Sequence, residues 1–269
     1  MNGGSVVPSV LFNDFFVFYA LIIFMGIIRD IGRYLLMLKG MFSKPENGKM
    51  YWKEFMHQCN DIGVGSLGIV AIISIFIGAV STVQTAYQLI TPLIPPSTIA
   101  VIVRDTIILE FAPTLTCIVL AGVVGSKIAS ELGNMRVSEQ IDALEIMGMN
   151  TKTYLIMPKI LAGLLMIPLL VAIAMALGIW GGRLAAVSAN IISGETYDKG
   201  LHEGFIPYNV FFAMAKSYAF AFIICSIPAF YGYYVQGGSL EIGRASTKAV
   251  VVSCIMILFA DYILSSLLL

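Results

Sequence analysis

Residues 131–150 read ELGNMRVSEQIDALEIMGMN and form the most polar stretch between two long hydrophobic runs of the chain. Helical spacing separates its residues into two faces. The apolar face holds Val137, Ile141 and Leu144, and the acidic face holds Glu139, Asp142 and Glu145. A short amphipathic helix of this kind suits a membrane surface with one polar side free. We therefore predict a helix at residues 134–149 whose acidic face docks a soluble partner, with the apolar face turned toward the membrane domain.

The composition around this stretch is that of a polytopic membrane protein. Of 269 residues, 58% are hydrophobic and 12% are charged, whereas soluble domains carry roughly 25% charged residues. Sixteen basic and sixteen acidic residues balance to zero net charge, so the composition offers no argument for a nucleic-acid ligand. The four cysteines lie far apart, and we interpret them as small apolar residues rather than disulfide partners or metal ligands.

Five hydrophobic segments predict transmembrane helices, at residues 62–90, 106–130, 155–190, 209–235 and 249–269. An earlier uncharged run, residues 15–28, covers only about 21 Å of a hydrocarbon core about 30 Å thick. We predict that residues 10–40 form an interfacial elbow helix, with a true span at 15–28 as the alternative. Residues 39–61, 193–208 and 237–248 are interpreted as polar connections. The predicted fold is one all-α integral membrane domain, residues 1–269: the elbow helix, five transmembrane helices and a short cytoplasmic helix.

The basic residues orient this domain, because short cytoplasmic loops are enriched in lysine and arginine. Most of the sixteen basic residues precede the first span, flank residues 131–150 or precede the last span. This pattern places the N-terminus and the 134–149 helix in the cytoplasm and the C-terminus outside.

Common catalytic motifs are absent from the sequence. It contains no G-x-x-x-x-G-K-[ST] phosphate-binding loop and no G-x-S-x-G nucleophile elbow. The two histidines, His57 and His202, have no neighbouring cluster with metal-ligand spacing. We therefore expect a non-catalytic chain that binds no metal and no cofactor of its own.

Among the ionisable residues of the predicted spans, we single out three: Glu110, Lys216 and Asp261. Such residues are costly in hydrocarbon and usually face a bundle interior or an aqueous cavity. One hypothesis is a polar patch lining a substrate path, and the alternative is a set of interhelical ties or snorkelling ends.

A mildly polar patch of small residues in the first span has two similar interpretations. It contains Gly78, Ser81, Thr82, Gln84, Thr85 and Tyr87. Such a surface suits a cavity for a large apolar ligand, and it suits close helix packing equally well. The glycines of Gly178-Ile-Trp-Gly181-Gly182 likewise allow close helix approach.

The 131–150 stretch resembles the signature of MlaE-type permeases, the membrane subunits of Mce-associated lipid ABC transporters. Glu110-Phe-Ala-Pro113, Ala121-Gly122 through Gly125-Ser126, Gly178-Ile-Trp-Gly181-Gly182 and Ile242-Gly-Arg244 resemble further pieces of that family. The resemblance covers residues from about 50 to 269. Leu109 and Val123 depart from it, since family members often carry arginine there, and Lys127 adds a base nearby.

The resemblance implies an inner-membrane permease that moves phospholipid or a related lipid to or from the outer envelope. Its implied partners are a second copy, a cytoplasmic ABC ATPase that uses ATP and Mg²⁺, a periplasmic Mce-domain protein and a small STAS-type subunit. The implied ATPase-coupling residues are Glu131, Arg136, Glu139, Gln140, Asp142, Ala143, Leu144, Glu145, Met147 and Gly148. The implied lipid pathway comprises the Gly78–Tyr87 patch with Glu110, Lys216 and Asp261.

Two other classes of function remain open from the residues alone. An ion-coupled secondary transporter would use Glu110 and Asp261 as proton or cation sites, although no inverted repeat is detectable. A membrane scaffold without transport would need only the 134–149 helix as a docking site.

Overall fold

The computed structural model describes residues 28–41, 48–89 and 95–268, and every regular element in them is a helix. Residues 28–41 form helix α1 within a first unit, Met1–Lys44, and the remaining helices belong to a second unit, Pro45–Leu269. Helix α1 exposes Ile31, Leu35 and Leu36. The rest of the predicted elbow helix, and the question of whether 15–28 crosses the membrane, lie outside the described residues.

In its described residues, the second unit consists of five long helices and two short ones. In chain order they are α2 (Gly48–Gln88), α3 (Ser97–Val137), α4 (Gln140–Ile146), α5 (Lys152–Ser188), α6 (Gly194–His202), α7 (Pro207–Tyr233) and α8 (Ser239–Leu268). The five long helices are long and apolar enough to cross a membrane. The predicted all-α integral membrane fold is confirmed.

The long helices alternate in direction, so the two short helices lie at opposite ends of the bundle. Helix α4 connects the end of α3 to the start of α5, and we call this the α4 end. Helix α6 connects the end of α5 to the start of α7 and lies against the start of α3. We call that the α6 end.

Several predicted helix boundaries were wrong. The polar residues 48–61 belong to helix α2, the 193–208 connection contains helix α6, and α8 begins at Ser239. Helices α2 and α3 have 41 residues each, or about 62 Å, twice a hydrocarbon core of about 30 Å. Hydropathy detects only the part of a helix that lies in lipid, so polar turns beyond the membrane are mistaken for loops. Helix α6 also has a local start signal, because the Thr196 amide donates to Ser193 Oγ at 3.3 Å.

Four stretches of the long helices are wound as wider π-helical turns: Asn60–Val64, Ile107–Leu115, Ala121–Gly125 and Lys152–Ile156. Turns of this kind are frequent at functional sites. The stretch Ile107–Leu115 contains Pro113. The proline is accommodated here in the wider winding.

Helices α2 and α5 approach each other through glycine. A Cβ atom added at Gly78 would overlap the backbone of Gly178, and one added at Gly181 would overlap the backbone of Ile75. Thr82, one turn beyond Gly78, is fully buried and donates to the Gly78 carbonyl at 3.0 Å. Packing is therefore what the structure assigns to Gly78 and Thr82, which was one of the two interpretations of this patch.

We predict that Gly78→Ala lowers the thermal stability of the purified protein, because a methyl group has no room between the two backbones. Overpacking of this kind costs about 1–3 kcal/mol. The matched control is Gly68→Ala on the same helix, where an added Cβ meets nothing within 4 Å. Melting temperatures in detergent should fall for Gly78→Ala only, and equal values for the two variants would contradict the packing assignment.

Candidate functional site

Glu110, Lys216 and Asp261, which the sequence analysis singled out, meet in one cluster between α3, α7 and α8. Lys216 Nζ lies 3.0 Å from Glu110 Oε1 and 2.7 Å from Asp261 Oδ1. The ammonium group also lies 4.7 Å from the centre of the Phe212 ring. The Lys216 side chain is 0% exposed, whereas the Glu110 side chain is 44% exposed. We call these three residues the Lys216 cluster.

Lys216 also binds the backbone of α3 where a proline interrupts it. Pro113 has no amide hydrogen, and it lies in the wider-wound stretch Ile107–Leu115, four residues after Leu109. Lys216 Nζ donates to that carbonyl at 3.2 Å. One ammonium group thus contacts a backbone carbonyl and two carboxylates, and it joins three helices.

The cluster was only partly visible in the sequence. Each of its three charges was flagged by its cost in hydrocarbon, but their contact depends on how the helices pack. The contact of Lys216 with the Leu109 carbonyl was also missed. Thr114 was also missed; its hydroxyl donates to Glu110 at 3.4 Å.

The Gly78–Tyr87 patch is divided by its environment. Gly78, Ser81 and Thr82 are buried, whereas Gln84 and Tyr87 are exposed and Thr85 is half-buried. Among the described residues, no hydrogen bond or ion pair links this patch to the Lys216 cluster. The predicted lipid-pathway residues therefore fall into two separate groups.

Helix α4 is shorter than the predicted 134–149 helix because two backbone turns bound it. Glu139 adopts a left-handed conformation with φ of 58°, which ends α3 and starts α4. Gly148 follows with φ of 82°, a conformation that glycine adopts readily. Ile141 is completely buried and anchors the short helix to the bundle.

Side chains tie α4 to three long helices. Arg136 of α3 donates to Asp142 at 2.6 Å. The Tyr233 hydroxyl at the end of α7 donates to Glu145 at 2.9 Å and lies 2.8 Å from the Thr151 hydroxyl next to α5. Thr151 in turn donates to Glu145 at 3.0 Å. The sequence carried no signal for Tyr233 or Thr151.

The outer surface of α4 is more apolar than the sequence suggested. Asp142 and Glu145 bind residues of the chain itself, while Ile146 and Met147 are 87% and 66% exposed. Glu139, Gln140, Ala143 and Gly148 are exposed beside them, and Leu144 is half-buried. We call Ile146 and Met147 the α4 tip.

Two further ion pairs brace the α4 end. Lys159 of α5 donates to Glu131 of α3 at 2.7 Å, and Lys127 of α3 donates to Asp61 of α2 at 2.8 Å. Glu131, predicted as a coupling residue, thus holds α3 against α5 and lies apart from the α4 tip. Asp61, Lys127 and Glu131 line a cavity of about 80 Å³ between α2 and α3.

The α6 end is held by two arginines. Arg104 is buried, and its guanidinium donates at 2.8 Å to the carbonyls of Leu201 and Glu203, which end helix α6. Arg183 donates two hydrogen bonds to Asp198 at 2.8 and 3.0 Å. This pairing holds the pKa of Asp198 below its usual range. The contribution of the pair to stability is therefore present above the unfolded pKa of aspartate and is lost as the pH falls through the folded pKa.

Residues 55–267 match the family model described as Permease MlaE. A probable ABC transporter permease protein of Rickettsia bellii is 34% identical over 239 residues, covering 89% of this chain and 92% of the relative. The intermembrane phospholipid transport system permease protein MlaE of Haemophilus influenzae is 29% identical, with the same coverage of 89% and 92%. The chloroplastic protein TRIGALACTOSYLDIACYLGLYCEROL 1 of Arabidopsis thaliana is 34% identical over 81% of this chain and 62% of its own length.

We predict that Lys216→Met strongly destabilises the protein, because Asp261 and Glu110 lose their shared cation within the bundle. Breaking a buried pair from one side costs about 3–5 kcal/mol. Removing the carboxylates as well, in Lys216→Met with Glu110→Gln and Asp261→Asn, should restore most of the melting temperature. If the triple variant is no more stable than Lys216→Met alone, the charge of Lys216 does not offset the charges of Glu110 and Asp261.

Proposed function

The chain belongs to the MlaE permease family, and from this premise we propose that it moves phospholipid or a related lipid between the inner membrane and the periplasm or outer membrane. It is a permease subunit of the ABC transporter class, which the relatives' names support. The name of the Haemophilus influenzae relative supports phospholipid as the cargo. We infer a multi-pass location in the bacterial inner membrane.

A separate ATPase drives this movement and contacts the α4 tip. The observation that carries this assignment is a short helix with an exposed apolar tip that is tied to three spans. Exposed apolar side chains at the centre of a polar surface are typical of a protein contact. ATP and Mg²⁺ are bound by the partner, and this chain supplies the surface on which the partner acts.

Tyr233 is the residue through which a push on α4 reaches the membrane interior. It binds Glu145 of α4 at one end of helix α7, and Lys216 lies 17 residues earlier on the same helix, or about 26 Å away. Lys216 in turn binds α3 and α8. A displacement of α4 therefore shifts α7 and, through the Lys216 cluster, both neighbouring spans.

The lipid passes between two copies of the chain, on the side formed by α3 and α8. Only 11% of the most apolar window of α8 is buried within one copy, so this helix offers a face for the second. Glu110 is partly exposed, which suits a polar group beside a lipid path. The buried positions Gly78 and Thr82 serve α2–α5 packing, so we assign the lipid path to the Lys216 cluster side.

The α6 end faces the periplasm and meets the Mce-domain protein. This orientation rests on the basic residues near the α4 end, which favour the cytoplasm. Arg104 and Arg183 hold the α6 end as a firm platform for such a contact. The N-terminus then lies in the cytoplasm and the C-terminus outside, and a STAS-type subunit is a further predicted partner.

We predict that Ile146→Asp with Met147→Asp abolishes co-purification of the ATPase from native membranes and ATP-dependent lipid transfer in proteoliposomes. Charge at the contact must be desolvated, which disfavours binding. The control is Leu240→Asp, an exposed leucine at the same end of the bundle. Mass spectrometry identifies the ATPase in each preparation. If the α4-tip variant recovers as much ATPase as the unaltered protein, the α4 tip is not the ATPase contact. Mass spectrometry of lipids bound to the intact complex tests the cargo separately.

A disulfide test addresses the second copy. Cys254 lies on α8 and is partly exposed, whereas Cys59, Cys117 and Cys225 are buried. We predict that oxidation in the membrane links two chains through Cys254 and that Cys254→Ser prevents the link. Leu165→Cys, placed in the Cys254→Ser background on an exposed position of α5, should give no dimer. A dimer that forms through Leu165→Cys rather than Cys254 would move the interface away from α8.

A further inference from the structure

Two ion pairs at the α4 end lie close enough to form one group. Lys127 of α3 binds Asp61 of α2 at 2.8 Å, and Lys159 of α5 binds Glu131 of α3 at 2.7 Å. Lys127 and Glu131 are four residues apart on α3, so they lie on one face of the helix about 6 Å from each other. Lys159 also lies within electrostatic range of Asp61. We call these four residues the charge square.

Each member of the charge square has two candidate partners of opposite charge. In the observed arrangement, Lys127–Asp61 joins α3 to α2 and Lys159–Glu131 joins α3 to α5. The exchanged arrangement pairs Lys127 with Glu131 inside α3, and Lys159 with Asp61 between α5 and α2. Both arrangements contain two ion pairs, so neither leaves a charge without a partner. The charge square ties α3 to both neighbours in the observed arrangement and to neither in the exchanged one.

A cavity beside the charge square gives its side chains room to move. Its volume is about 80 Å³, and it is lined by Asp61, Lys127 and Glu131, with Gln58 and Ser66 as further polar groups. This space is enough for several water molecules. The Lys127 side chain is 52% exposed and that of Asp61 is 28% exposed. Hydrated side chains of this kind can change partners without placing a bare charge in hydrocarbon.

The helices that carry the charge square are irregular next to it. Three of the wider turns lie within three residues of one of its members: Asn60–Val64, Ala121–Gly125 and Lys152–Ile156. Helices bend most readily at turns of this kind. Further along, the contacts at Gly78 and Gly181 hold α2 directly against α5. Helix α3 is therefore the one that can shift at this end, against a fixed α2–α5 pair.

The end of α3 transmits a displacement of α4 to the charge square. Arg136 of α3 binds Asp142 of α4 at 2.6 Å. Glu131 lies five residues before Arg136 on the same helix, or about 8 Å away. A displacement of α4 therefore moves Glu131 relative to Lys159, which belongs to α5.

We propose that the charge square exchanges partners in each transport cycle. When the ATPase displaces α4, Glu131 leaves Lys159 and binds Lys127. Asp61, which has lost Lys127, then binds Lys159. The exchange releases α3 from α2 and α5 and adds a bond between those two helices. Because α3 carries Glu110, the Lys216 cluster is released to move with it. This inference rests on the proposed transport function and names the charges whose pairing changes.

Charge-swapped variants distinguish the two arrangements. Asp61→Lys with Lys127→Asp keeps opposite charges together in the observed arrangement, but it places like charges together twice in the exchanged one. Glu131→Lys with Lys159→Glu has the same effect through the other pair. Reversing all four charges in one chain makes both arrangements possible again.

The measurement is ATP-dependent lipid transfer by the intact complex in proteoliposomes. Energetic coupling between sites typically changes an equilibrium by about 5–150-fold. We therefore expect transfer to fall about tenfold in each swapped variant and to return to within about twofold in the fourfold reversal. The melting temperature without nucleotide should stay within about 3 °C, because both observed pairs are kept.

The matched control is Glu241→Arg with Arg244→Glu. These residues form an exposed ion pair at the same end, but both belong to α8, so their pairing ties no two helices together. Transfer should be unchanged in this variant. If the swapped chains do not insert, Asp61→Asn with Lys127→Gln takes their place. It removes one pair from the observed arrangement and both from the exchanged one, so transfer should still fall.

Four outcomes would overturn the proposal. Transfer at the unaltered rate in a swapped variant would mean that its pair does not exchange, and the same result in the neutral variant would have the same meaning. A loss of transfer that only follows a loss of melting temperature would assign the charges a bracing role. A fourfold reversal that melts normally but does not regain transfer would exclude the exchange. Absence of transfer by the unaltered complex would refute the proposed function itself, so the two failures are distinct.

Discussion

The structure depends on one ammonium group that lies among three membrane helices. Lys216 is fully buried, and its cost in an apolar interior is offset by Glu110, Asp261 and the Leu109 carbonyl together. The same contacts join α3, α7 and α8 at one point. Lys216 also donates to a backbone carbonyl in the proline-containing stretch of α3, so this stretch is bonded directly to α7. The packing of α3, α7 and α8 therefore depends on the same contacts that balance the buried charge.

The two ends of the bundle are held by different chemistry. At the α4 end, the hydroxyls of Tyr233 and Thr151 bond to each other and to the Glu145 carboxylate. Two ion pairs, Lys127–Asp61 and Lys159–Glu131, lie at the same end. At the α6 end, Arg104 satisfies the carbonyls that end helix α6. Both short helices are thus fixed by side chains of distant spans. A helix of seven or nine residues has little stability by itself, so tertiary contacts supply it.

The fold class, the five spans and the family were predictable, because long apolar runs and the 131–150 motif are local properties of the sequence. Helix ends were not, since Gly48 to Asp61 is polar yet helical beyond the apolar core. The charges of the Lys216 cluster were visible one by one, but which helix faces meet is decided by packing. The role of Tyr233 could not be predicted, because tyrosine is common at helix ends and the sequence does not show which group it binds. Of the three residues predicted for the apolar face, Ile141 is buried, Leu144 is half-buried and Val137 is exposed, so that prediction was right only in part.

The contact between Gly78 and Gly178 involves backbone atoms on both sides. A clash between two side chains can be relieved by shortening the partner, but here the partner has nothing left to remove. Compensating substitutions for a larger residue at position 78 are thus excluded at position 178. Any suppressor must lie elsewhere and act by moving α2 away from α5 as a whole. During the evolution of such a chain, positions 78 and 178 vary only if the angle between α2 and α5 changes as well.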